Sequence, residues 1–204
     1  MFINRKRKEI NIKIVYYGPP LSGKTTNLEY IHRSTPPSRR GDLIALKTHG
    51  DRTLFFDYMQ LELPPIQGMT PKFNIYTVPG QVAYTASRKL VLQGADGVIF
   101  VADSHPDRMR DNLYSLVDLY RNLQEAGTNP RQVSLILQLN KRDLQNAASV
   151  PTIRQALRLE GYNIPTIEAA ALRGDGVLET LQTSIHAVVR RLQATDRGHN
   201  GRTR

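Results

Sequence analysis

Residues Gly18 to Thr25 read Gly-Pro-Pro-Leu-Ser-Gly-Lys-Thr, and this octapeptide constrains the fold more than any other stretch. The run before it, Ile12-Lys13-Ile14-Val15-Tyr16-Tyr17, is β-branched and aromatic, as a strand requires. The run after it, Thr26 to Ile31, places Leu28 and Ile31 at a helical spacing. Strand, glycine loop and helix form the context in which a G-x-x-x-x-G-K-[ST] string binds phosphate. The backbone N–H groups from Leu21 and Ser22 through Lys24, Thr25 and Thr26 then converge on anionic oxygens at the helix N-terminus. Gly18 and Gly23 let the backbone approach closely. Lys24 reaches the outer phosphates, and the Thr25 hydroxyl is placed for Mg²⁺. A nucleoside polyphosphate is the expected ligand.

Composition removes several alternatives. At 204 residues the chain reads as one domain with room for a sizeable core. It has no cysteine, hence no disulfide framework, thiolate metal site or thiol nucleophile. No apolar run approaches the roughly 20 residues of a membrane-spanning helix. Residue 2 is Phe, the last residue is Arg204, and the start lacks an apolar signal core, so neither lipidation nor secretion is expected. These features predict a cytoplasmic protein. The formal net charge is +10, concentrated at the ends in Arg5, Lys6, Arg7 and Lys8 and in Arg190, Arg191, Arg197, Arg202 and Arg204. Such termini suit anionic membranes, acidic proteins or nucleic acid, or act as solvated tails. Residues 1–10 and 193–204 read as loosely held basic tails around a domain spanning 11–192.

Between the tails, strand-like and helix-like segments alternate. Strands are predicted at Ile12–Tyr17, Leu54–Leu63, Phe73–Val78, Gly97–Ala102, Val133–Leu139 and Ile164–Glu168. Helices are predicted from about Asp107 to Ala126, with Leu113, Leu116, Leu119, Tyr120 and Leu123 on one face, and from Val177 to about Leu192. The expected fold is α/β: about six mostly parallel strands with helices on both faces. The Leu63-Pro64-Pro65-Ile66-Gln67-Gly68 turn reverses the chain and makes one antiparallel edge strand.

A second chemical signal is Asn140-Lys141-Arg142-Asp143, which follows the apolar run Leu135–Leu139. It falls just past the carboxyl end of a strand, where open α/β sheets bind ligands. A carboxylate there accepts two hydrogen bonds from the N1–H and exocyclic amine of guanine, a donor pair that adenine lacks. Leaving that carboxylate unpaired costs about 1–3 kcal/mol.

These two motifs together resemble the P-loop NTPases of the Ras-like G-domain class, over residues 11 to 192. Longer strings resemble the MglA family of bacterial polarity GTPases. They include Lys13–Pro19, Asp51-Arg52-Thr53-Leu54-Phe55-Phe56-Asp57 and Tyr76-Thr77-Val78-Pro79-Gly80-Gln81. Phe100–Ser104 and Asn140–Leu144 extend the match. The resemblance implies that Thr53 senses Mg²⁺ and the γ-phosphate, that the Gly80 N–H contacts the γ-phosphate, and that Gln81 orients the attacking water. It aligns Ala170-Ala171-Leu172 with the loop that contacts the guanine carbonyl through the backbone. It also places Arg52 where a guanidinium neutralises charge developing on the phosphates. The usual switch II aspartate is here Thr77, so Asp57 joins Thr25 and Thr53 as a metal-ligand candidate.

The implied activity is a GTP/GDP switch that hydrolyses GTP slowly until an MglB-like Roadblock protein activates it. Polarity or motility effectors then read one nucleotide state. A nucleotide-locked scaffold is the alternative, opposed by Gln81 and Arg52, which a scaffold does not need. An adenine-nucleotide kinase is opposed by Asp143.

Overall fold

The computed structural model describes residues 2–47, 55–65, 68–79 and 85–200. Among these are eight strands: β1 (Phe2–Asn4), β2 (Glu9–Tyr17), β3 (Ile44–Lys47), β4 (Phe55–Glu62), β5 (Thr70–Thr77), β6 (Gly97–Asp103), β7 (Ser134–Asn140) and β8 (Thr166–Glu168). The α-helices are α1 (Lys24–Ser34), α2 (Thr85–Leu92), α3 (Met109–Glu125), α4 (Val150–Ala156) and α5 (Val177–Asn200). All eight strands join one sheet in the order β3-β4-β5-β2-β6-β7-β8, with β1 paired to β2.

The pairs β5·β2, β2·β6, β6·β7 and β7·β8 are parallel, and β3·β4 and β4·β5 are antiparallel. Central strands of a sheet covered on both faces are apolar at every position, not every second one. All seven residues of β6 are buried, and alternate residues serve opposite faces. Val15, Tyr17, Val98 and Phe100 pack with Leu116, Leu119 and Leu123 of α3 and Ile153 of α4. Ile14, Tyr16, Ile99 and Val101 pack with Leu28 and Ile31 of α1 and Leu181 and Val188 of α5. The helices therefore cover both faces, and the phosphate loop emerges at the carboxyl edge of the sheet between β2 and α1.

Four expectations are corrected. The sheet has eight strands rather than about six, because β1 and β3, at three and four residues, are too short to register as strand-like runs. The chain does reverse between β4 and β5, but β4 is not the edge: β3 covers it. Residues 1–10 are not a loose tail either. Phe2, Ile3 and Asn4 pair antiparallel with Asn11, Ile10 and Glu9. Because β5 occupies the other side of β2 from Glu9 onward, β1 covers the stretch of β2 that β6 does not reach. The last helix also runs on to Asn200 instead of ending near Leu192.

Candidate functional site

The phosphate loop is shaped by what lies beneath it. Gly18 has φ +147°, and a Cβ there would meet the Val101 carbonyl oxygen at 2.3 Å. Gly23 has φ +99°, and a Cβ there would meet Asn140 Nδ2 at 2.2 Å. Both positions therefore demand glycine. Lys24 is buried, and its ammonium donates to the Gly18 carbonyl at 2.9 Å and the Pro19 carbonyl at 2.7 Å. Burial, assisted by the nearby Arg88 charge and opposed by Asp57, pushes its pKa down to about 7. An anionic group above the loop counters both depressing causes.

Helix α1 has Gly23 at its N-cap, with no side-chain cap and no acidic residue in its first turn. Its N-terminal N–H groups and dipole are left for an anion. Leu21 is 83 % exposed with φ +63°. Ser22 is buried, Thr26 is half-buried, and Thr25 is exposed at the helix start.

Asp57 lies where the metal position was expected. Its Oδ2 accepts from Thr25 Oγ1 at 2.7 Å and from Thr77 Oγ1 at 2.9 Å, while its own N–H donates to Thr77 Oγ1 at 2.9 Å. The β4–β5 register, which places Tyr58 opposite Tyr76, carries Asp57 to Thr77 one step further. Thr77 thus holds in place the carboxylate that it does not itself supply. Thr25, Asp57 and Thr77 gather hard oxygen donors of the kind that Mg²⁺ takes alongside phosphate and water.

Asn140, buried at the end of β7, joins the phosphate loop to the base-side loop. Its Nδ2 donates to the Ser22 carbonyl at 2.7 Å, and its Oδ1 accepts from the Ala171 N–H at 2.9 Å. The Ala170 N–H is given to the Asp175 carbonyl at 3.0 Å. Leu172, 79 % exposed, has no backbone N–H partner among the described residues. Lys141 adopts φ +66° and donates to Asp103 Oδ2 at 2.6 Å. Asp143 is exposed beside this loop, and its carboxylate has no partner among the described residues.

The structure thus brings together the phosphate loop, Asp57, Asn140, Lys141, Asp143 and Ala170–Leu172. Arg52, Thr53, Gly80 and Gln81 lie outside the described residues.

Supporting residues not anticipated from sequence surround this set. Asn27 donates to the Gly23 carbonyl at 2.9 Å, and Gln138 Nε2 donates to Asn27 Oδ1 at 2.9 Å and Thr180 Oγ1 at 3.0 Å. This buried relay ties α1, β7 and α5 together. Arg108 donates to the Pro20 carbonyl at 2.8 Å and fixes the far side of the loop. Tyr17, the last residue of β2, donates to Asp118 Oδ2 at 2.6 Å, and Arg88 of α2 lies 3.3 Å from the same oxygen. A lone Gln in an apolar strand was the one readable signal among these.

The chain matches the model of the ADP-ribosylation factor family over residues 1–188. It is 50 % identical over 192 residues to the mutual gliding-motility protein MglA of Myxococcus xanthus, covering 94 % of this chain and 97 % of that protein. The chain is a small GTPase of the MglA family. This MglA-family chain is also 28 % identical over 179 residues to ADP-ribosylation factor-like protein 6 of Caenorhabditis elegans, covering 86 % and 85 % of the two. ADP-ribosylation factor-like protein 2 of Arabidopsis thaliana matches at 25 % over 197 residues, covering 94 % and 95 %. Membership makes the chain a G domain that binds GTP and GDP and hydrolyses GTP. The sequence resemblance and the α/β expectation are therefore borne out.

Proposed function

We propose that this MglA-family GTPase is a GTP/GDP switch controlling bacterial gliding motility or cell polarity, with partners that read one nucleotide state. The observation that carries the reading is the Thr25–Asp57 hydrogen bond. It connects the phosphate-binding helix directly to β4, the strand that follows the expected switch I segment. A change at the phosphates is therefore a change in what β4 contacts.

In this reading Thr25 and Asp57 hold Mg²⁺, with Thr53 completing the set, and the ion neutralises phosphate charge when bound. Lys24 and the loop N–H groups bind the phosphates, with Gly80 donating to the γ-phosphate in the GTP state. Asp143 accepts from guanine, and the Leu172 N–H, or the Ala171 N–H shared with Asn140, donates to its carbonyl. Gln81 orients the water that attacks the γ-phosphate. Arg52 places its guanidinium against the developing negative charge, a contribution of about 10³–10⁵ in rate for such an arginine. A Roadblock-type activator of the MglB kind brings Arg52 and Gln81 into register, and effectors at a cell pole bind the resulting surface.

The experiment is phosphate release from GTP with Mg²⁺, alone and with an MglB-type partner, in the wild type and Arg52→Ala. Stimulation that vanishes in Arg52→Ala supports the reading. Stimulation that is unchanged there removes Arg52 from catalysis, and stable GTP with no release under either condition makes the chain a locked scaffold.

A further inference from the structure

The two basic segments lie far apart in sequence but leave the fold at one pole. Strand β2 climbs from Glu9 toward the phosphate loop, so the β1–β2 turn is at the opposite edge of the sheet. Helix α5 starts beside the base-side loop and descends: Val188 sits over Gly97, the first residue of β6, where a Cβ would meet its Cγ2 at 2.9 Å. Asp96 marks the shared level. Its Oδ2 accepts from the Lys13 N–H at 2.8 Å, and its charge acts on Arg191 of α5. Below that level β2 continues from Lys13 to Glu9 for about 13 Å. Helix α5 continues from Arg191 to Asn200 for about the same distance.

The turn is a built feature. The Arg7 N–H donates to Asn4 Oδ1 at 3.1 Å, and the Lys8 carbonyl accepts from the Thr70 N–H at 2.7 Å. Arg5, Lys6, Arg7 and Lys8 are all exposed, and none is ion-paired with a described residue. Glu9, next along the chain, and Glu62 are engaged by Lys72, at 2.8 Å and 3.7 Å. Beside these four cations stand Phe2, 65 % exposed, and Ile3, 42 % exposed. Arg190 adds a further exposed charge on α5.

We propose that this pole is a docking face for an anionic lipid bilayer, with Arg5–Lys8 meeting the headgroups and Phe2 and Ile3 entering the interface. Cations carried on a hydrogen-bonded hairpin complement a negative surface at a lower ordering cost than cations on a free tail. The exposed apolar pair distinguishes a bilayer from nucleic acid, because a phosphate backbone gives Phe2 and Ile3 nothing apolar to enter. Docked this way, the nucleotide edge of the sheet faces away from the membrane.

The test is co-sedimentation of the full chain with vesicles of phosphatidylcholine containing one third phosphatidylglycerol, against pure phosphatidylcholine. Thermal unfolding serves as the check on folding. Binding is expected only to the anionic vesicles and weakens steeply as salt rises. The double variant Lys6→Gln/Arg7→Gln should bind about 25-fold more weakly, roughly fivefold per cation. Phe2→Ser should weaken binding several-fold while leaving the salt dependence unchanged. Equal binding to neutral vesicles overturns the proposal, as does full affinity in a folded double variant. So does wild-type binding that ignores salt, a measurement that holds even where a variant misfolds. Tighter binding to a short DNA duplex than to anionic vesicles makes the pole a nucleic-acid face instead.

Discussion

Single atoms decide two properties of the site. Thr77 Oγ1 accepts the Asp57 N–H and donates to its carboxylate, so the hydroxyl sets where that carboxylate points. Replacing it in Thr77→Val keeps the volume and removes both bonds. The variant should lose about 1–3 kcal/mol of stability, read by urea unfolding. It should also need about tenfold more Mg²⁺ to retain GDP, read by nucleotide release across a Mg²⁺ titration. The role proposed for Asp143 on the base is equally direct. Asp143→Asn exchanges an acceptor for a donor, and guanine affinity should fall by 100-fold or more while xanthine nucleotides gain. Competition binding with GDP, XDP and ADP reads this, and unchanged GDP affinity removes Asp143 from base recognition.

Elements hold these atoms through polar contacts that cross the apolar layers. Asp118 of α3 accepts from Tyr17 at the end of β2 and from Arg121, and it lies against Arg88 of α2. Burial opposes its ionisation, yet the Tyr17 and Arg121 hydrogen bonds and the Arg88 charge outweigh burial and hold its carboxyl below the ordinary value. A carboxyl with a lowered folded-state pKa contributes stability above its unfolded value, about 3.9, and that contribution disappears as pH falls through the folded value. Asp118→Asn should therefore lose about 1–3 kcal/mol at pH 7 and show a shallower loss of stability below pH 4 than the wild type. Denaturant midpoints from pH 3 to pH 7 measure both. None of this was legible in sequence, whereas the loop and its flanking strand and helix were. Gly18 to Thr25 is a contiguous string whose spacing carries its chemistry, and Asn140-Lys141-Arg142-Asp143 is another. In the sequence Asp57 is legible only as a replacement for the missing aspartate; its bond to Thr77 depends on an antiparallel register that no local pattern encodes. The Asn27–Gln138–Thr180 relay joins three distant elements, and Arg108 recognises a backbone carbonyl that has no sequence signature. Strands β1 and β3 are not legible because three or four residues are too few to make a period.

At the scale of the whole molecule, ligand and fold are coupled, because the site draws on β2, α1, β4, β7 and the loop before α5. A ligand that binds only the folded chain raises its stability by mass action. GDP with Mg²⁺ at about 100 times its dissociation constant should raise the melting temperature by about 5–10 °C, and ADP at the same concentration should leave it unchanged. Differential scanning fluorimetry reads both arms. The two glycines of the phosphate loop set a further condition, one of timing. Gly18 rests on the Val101 carbonyl of β6, and Gly23 rests on the Asn140 amide at the end of β7. The octapeptide is local in sequence, but the surface that shapes it arrives much later in synthesis. A nascent chain that has completed only β2 and α1 has the residues of the loop without the floor beneath them. Nucleotide capture must wait until β7 has docked, so loading by GTP or GDP reports a finished domain and latches it shut behind the last strands to assemble.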